Sequence, residues 1–202
     1  AASVLYGKNT NQTFNIYIGT GRNGKSKFVE LMTSILGDYK ATIPVSLITK
    51  QRVNIGGASP EVAGLVGIRY AVMQESSIND RINEGPMKEL TGGDAIQCRA
   101  LYQEPITFVP QFKLVMPTNN LPNIESKDEG TWRRIRACEF KSQFKEDPDP
   151  NSKYQFPVDK NLDRKFESWK VVFMSLLVER AYKTLGNVVD CKMVLLHSER
   201  YR

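Results

Sequence analysis

The stretch Phe14-Asn15-Ile16-Tyr17-Ile18-Gly19-Thr20-Gly21-Arg22-Asn23-Gly24-Lys25-Ser26 decides the fold of this chain. An apolar run suited to a buried strand passes into a turn holding Gly19, Gly21 and Gly24, and Lys25 and Ser26 then open an amphipathic segment that reaches Leu36. The spacing Gly-x4-Gly-Lys-Ser is that of a phosphate-binding P-loop, and the strand before it and helix after it are the context that pattern requires. Glycines let consecutive backbone N–H groups curl round a phosphate, and the first turn of the helix adds partial positive charge. Lys25 is therefore expected to reach the β- and γ-phosphates of ATP, and Ser26 to hold Mg²⁺ through its hydroxyl. Gly19, Thr20, Gly21, Arg22, Asn23 and Gly24 would form the cradle between them.

Outward from this stretch, further short apolar runs at 40–43, 69–74, 113–116 and 135–140 are strand candidates separated by crossovers. Such an order predicts an α/β fold with a parallel sheet flanked by helices. A short helix is expected at 86–90 and a hairpin at 95–108, turning near Glu104-Pro105. Residues 145–157, rich in charge and proline, read as a surface linker. Beyond it Leu162, Phe166, Trp169, Phe173, Leu176 and Leu177 fall at helical spacing, predicting one long helix over 162–185 stopped by Gly186. The expected organisation is a P-loop core over 1–144, followed by the linker and a C-terminal helical annex over 145–202.

Composition bounds the function. The 202 residues are 41% hydrophobic and 25% charged, as in an ordinary soluble globular protein. No apolar run approaches the roughly 18 residues of a membrane span, and no signal peptide opens the chain, so no membrane partner is expected. The opening Ala-Ala-Ser without Met, so close to the first strand, leads us to expect a module of a longer polypeptide. Cys98, Cys138 and Cys191 are far apart and odd in number, which argues against a disulfide framework or a zinc site and for an intracellular protein. One histidine, His197, leaves little material for a nucleophilic triad. A net charge of +6 leans mildly toward a polyanionic partner.

Polar residues at the C-terminal ends of parallel strands build sites in such sheets. Glu75 follows the 69–74 run and is placed to activate the water that attacks a γ-phosphate and to assist the metal ion. Gln74, one position earlier, offers only a neutral oxygen. Asn119 follows the next run and suits a sensor that bridges water and γ-phosphate. Arg133 and Arg134, just before the last strand, suit an arginine finger directed at a neighbouring subunit.

Together with the P-loop, Gly-Ala-Ser-Pro-Glu (57–61), Lys-Glu-Leu-Thr-Gly-Gly-Asp (88–94), Thr-Asn-Asn-Leu-Pro (118–122) and Gly-Thr-Trp-Arg-Arg (130–134) give an order of motifs that resembles the superfamily 3 helicase domain. The likeness is to the primase-helicases of poxviruses, African swine fever virus and other large DNA viruses, with related phage and plasmid primases, and it runs over about 1–177. This resemblance implies a homo-oligomeric ring ATPase of the AAA+ class, a hexamer, that encircles single-stranded or forked DNA. It implies work at viral replication sites in the host cytoplasm or nucleus. It aligns Lys25 and Ser26 with the first motif, Gln74 and Glu75 with the second, and Asn119 with the sensor. The region 88–102 corresponds to a basic hairpin in the ring's channel, which makes Lys88 and Arg99 the expected DNA-phosphate contacts. Two other readings use the same P-loop: a nucleotide or small-molecule kinase, and an ATP-switched DNA-binding or loading module that does not translocate.

Overall fold

Strands buried on both faces read as near-continuous apolar runs, and Tyr70–Met73 meets that condition at every position. The computed structural model describes residues 1–50, 57–74 and 80–202. After a 3-10 turn at Ala2–Tyr6, β1 (Phe14–Ile18) leads through the glycine turn into α1 (Lys25–Leu36). Gly37, at φ 50°, ends that helix and passes the chain through a second 3-10 turn to β2 (Lys40–Ile43). The single turns α2 (Ser46–Thr49) and α3 (Pro60–Ala63) precede β3 (Tyr70–Met73). Next come α4 (Glu84–Thr91) and a hairpin of β4 (Ile96–Cys98) and β5 (Ile106–Phe108), then β6 (Lys113–Thr118), α5 (Glu129–Trp132) and β7 (Ile135–Glu139). β8 (Gln143–Lys145), β9 (Gln155–Pro157), α6 (Leu162–Thr184) and α7 (Lys192–Arg200) complete the chain.

Five strands form one parallel sheet in the order β2-β3-β6-β1-β7, flanked by helices. Alternate side chains leave opposite faces, so each strand feeds two cores. Phe14, Ile16 and Ile18 join Ala71, Met73, Leu114, Met116, Ile135 and Ala137 on one side. Tyr70, Val72 and Val115 point the other way, into a layer of Met32 and Leu36 from α1, Leu177 from α6, and Val4. The sequence thus yields the expected α/β class, with β1 between β6 and β7 and its P-loop turn at the C-terminal edge of the sheet.

Two expectations change. The segment 145–157, expected as a linker, includes β9 and the last residue of β8, which form a short parallel ladder. This ladder is tied to the P-loop turn, since the Phe144 N–H donates to the Arg22 carbonyl at 2.8 Å. Most of the charges, with Pro148 and Pro150, lie in the connection between its two strands. The second change is α7, a helix additional to the annex helix at 162–185. It lies along β7, where the Ala137 N–H donates to Ser198 Oγ at 2.9 Å and Arg136 grips Asp190 with two bonds of 2.7 Å.

Candidate nucleotide site

β1 sits between β6 and β7, so the chain turns leaving β1 and β6 stand side by side at the C-terminal edge of the sheet. The turn after β1 needs left-handed backbone: Gly21 has φ 96° and Gly24 has φ 86°. Gly19 is required for a different reason, because a Cβ there would stand 1.9 Å from Asn23 Nδ2 and 2.8 Å from the Phe140 carbonyl oxygen. Arg22, non-glycine at φ 48°, carries the strain of the same turn. The result is an open cleft of about 490 Å³ lined by residues 21–27 with Pro117 and Asn119.

Lys25, the first residue of α1, is buried in this turn. Its ammonium donates to the Gly19 carbonyl at 2.5 Å, to Asn23 Oδ1 at 3.2 Å and to Asn119 Oδ1 at 3.1 Å. Thr118 holds the second turn in place, its hydroxyl donating to the Asn120 carbonyl at 2.6 Å. The fold thereby brings together Lys25, Ser26, Asn119 and the cradle residues 21–24, which lie up to a hundred positions apart in sequence. Ser26 is exposed at the start of α1, beside the cleft.

Polyphosphate fits this arrangement. The cleft is open, its turn has glycine where backbone must face a ligand closely, and Asn23 Nδ2 is buried without a hydrogen-bond partner. Mg²⁺ fits as well, because that ion keeps most of its waters and takes one or two protein oxygens plus phosphate, and Ser26 supplies one such oxygen. No group of three His, Cys, Asp or Glu side chains gathers as a metal cluster among the described residues.

The remaining expected residues are spread round the fold. Gln74 is exposed directly after β3, its N–H donating to the Ile43 carbonyl at 3.0 Å, two strands from β1. Glu75 lies outside the described residues. Arg133 and Arg134 precede β7, and the register Phe14↔Ile135 puts them at the N-terminal edge of the sheet, a full strand length from the P-loop of their own chain. Their guanidinium groups share one acceptor: Gln12 Oε1 lies 2.7 Å from Arg133 Nη2 and 3.2 Å from Arg134 Nη2. Burial first, and the Arg133 charge second, lower the Arg134 pKa from its ordinary value. No sequence pattern pointed to Gln12, whose partners are more than 120 positions away.

Lys88 sits on α4, where it bonds Glu84 at 3.1 Å and Asp128 at 2.5 Å. The Lys88 ammonium, followed by the Gly130 backbone N–H, pulls the Asp128 carboxyl down to about 2. Asp128 also accepts from the Thr131 N–H at 3.0 Å and so caps α5, the turn that leads to the two arginines. Arg99 is exposed just past β4, and its carbonyl accepts from the Ser59 N–H at 2.8 Å. It opens a loop, 99–105, whose tip carries the fully exposed Tyr102 at φ 59°.

Residues 17–134 match a protein family described as "Family of unknown function (DUF5906)". The chain belongs to this family. Among curated relatives, it is 40% identical over 211 residues to "Putative helicase" of Acanthamoeba polyphaga mimivirus, covering all of this chain and 22% of that protein. It is 33% identical over 186 residues to "Putative helicase" of Frog virus 3 (isolate Goorha), covering 86% of this chain and 19% of the relative. Against "Putative primase" of African swine fever virus (isolate Warthog) the identity is 28% over 198 residues, covering 93% and 20%. The chain thus spans about a fifth of the length of these relatives. The fold is similar to the C-terminal region (305–718) of NrS-1, with a TM-score of 0.67 and 13% identity, over all of this chain and 46% of that one.

Proposed function

We propose that this DUF5906 domain is the ATP-hydrolysing motor of a viral replicative primase-helicase, of the superfamily 3 and AAA+ type, working as a hexameric ring on single-stranded or forked DNA. The observation that carries this reading is the meeting of Lys25 and Asn119 over the glycine turn, where two strand ends supply a cation and a neutral amide to the same cleft. The relatives' names, helicase and primase, support the DNA side of the reading. Intracellular replication sites, in host cytoplasm or nucleus, follow from the same reading.

In this reading the backbone N–H groups of 21–24 bind the β-phosphate, and Lys25 exchanges its carbonyl partners for phosphate oxygens. Asn119, released from Lys25, then orients the attacking water, and Glu75 takes its proton. Bound through Ser26, Mg²⁺ would neutralise developing charge on the phosphates. Arg133 or Arg134 acts on the adjacent subunit, since each lies far from the P-loop of its own chain. Lys88 and Arg99 contact the phosphates of the strand in the channel.

The test is ATP hydrolysis by the purified chain with and without single-stranded DNA, paired with strand displacement on a forked duplex. DNA-stimulated turnover and displacement, both lost in Lys25→Ala, are expected. Turnover without displacement at any ring concentration favours a loading module, and phosphoryl transfer to a small-molecule acceptor favours a kinase.

A further inference from the structure

One pair of aromatic side chains near the cleft has no part in either core. Phe144 of β8 and Phe156 of β9 remain 36% and 43% exposed, with ring centroids 6.0 Å apart at 38°. We propose that this pair is the platform on which the base of the bound nucleotide stacks, an inference that rests on the nucleotide reading above and extends it to the other end of the same ligand.

A triphosphate held by the turn after β1 has two ends, and Asn119 marks the γ end, on the β6 side of β1. The nucleoside must then leave on the opposite side, toward β7. That is where the chain continues from β7 through Phe140 to Phe144, whose N–H is bonded to Arg22 within the turn itself. The Phe144 ring also flanks the start of α1, with Cε2 3.3 Å from where a Cβ on Gly24 would stand. The platform is therefore tied to the phosphate cradle by a backbone hydrogen bond, with the Phe144 ring beside Gly24.

The geometry also limits how a base binds. The two rings are too close to admit a third between them, so the base lies against the outward face of the pair. Phenylalanine brings no hydrogen-bonding group, so recognition comes from stacking area, which every base offers and purines offer most.

The experiment uses calorimetric binding of two probes to the whole chain: a non-hydrolysable ATP analogue with Mg²⁺, and inorganic tripolyphosphate with Mg²⁺. Phe156→Ala should weaken the ATP analogue about tenfold or more, the scale of one lost base stack, and leave tripolyphosphate unchanged. Phe156→Trp should keep or tighten nucleotide binding. Equal ATP-analogue affinity in wild type and Phe156→Ala would overturn the proposal, and so would an equal loss for both probes, which would make the aromatic pair a brace for the turn. If wild-type chain binds neither probe, or Lys25→Ala binds tripolyphosphate as well as wild type, it is the P-loop reading that fails and the platform falls with it.

Discussion

The Lys25 ammonium and the Asn119 side-chain amide oxygen stand 3.1 Å apart, so the turns leaving β1 and β6 close over one cleft with a cation bonded to an amide. A neutral amide can release that cation to a phosphate at little cost. A carboxylate at the same place would hold it more tightly and repel the incoming anion.

Asn119→Asp is therefore expected to weaken ATP-analogue binding tenfold or more, while Asn119→Ala binds normally and loses about a hundredfold in turnover, the usual scale for a missing polar contact to the transition state. Calorimetry and steady-state hydrolysis on the two variants check this. Tight binding by Asn119→Asp would remove Asn119 from the phosphate site.

Arg133 and Arg134 cannot act on their own P-loop from the opposite edge of the sheet. On the proposed ring reading, alanine at one of the two should leave ATP binding intact and cut hydrolysis by about 10³-fold. Mixed with Lys25→Ala subunits, which keep their arginines, that variant should regain part of the lost activity. Mixed oligomers without recovery for either arginine would restrict both residues to the Gln12 contact.

Lys88 holds two carboxylates, and only by giving up the more exposed one, Asp128, does it become available to DNA. Lys88→Ala should lower the thermal midpoint, because Glu84 and Asp128 lose their shared cation. It should also flatten the salt dependence of single-stranded DNA binding by about 0.7 in the log–log slope, one phosphate contact. A lower midpoint with an unchanged slope would leave Lys88 with the ion pairs alone. Arg99→Ala, on the exposed loop past β4, should flatten the same slope.

Lys113 opens β6 from a buried position, donating to the Lys8 carbonyl and to Asn9 Oδ1, and burial lowers its pKa to about 8. A folded-state pKa below the unfolded value means that the unfolded chain binds the extra proton between pH 8 and 10.5. Stability from this group should therefore rise with pH through that window, by up to about 3 kcal/mol at 1.36 kcal/mol per unit. Chemical denaturation at pH 7.5 and pH 10 should show the gain in wild type and its absence in Lys113→Met. Parallel curves for the two proteins would refute it.

How legible the molecule is from its residues depends on what each element buries. β3 is apolar throughout and β1 and β6 are mostly so, because their faces are largely covered, and a reading of apolar runs finds them. The Lys25–Asn119 cleft follows from the glycine spacing and from the polar residue that comes after the 113–116 run. α7 is different: the side chains it buries, His197 and Ser198, are polar, while Met193, Leu195 and Leu196 face outward, so its periodicity points away from the contact it makes. β8 and β9 are too short for alternation to register. The Lys88–Asp128 pair and the Gln12 clamp join residues brought together only by the packed sheet, and nothing local announces them.

The bond from Ala137 to Ser198 decides how the molecule can meet a copy of itself. β7 is the outermost strand on its side, and a strand of that kind ordinarily offers a ladder on which another chain can grow. Here the middle rung is occupied by a hydroxyl and the flank is shielded by a helix. Any self-association at this border must therefore proceed through side chains, and a continuous inter-subunit sheet is closed off there.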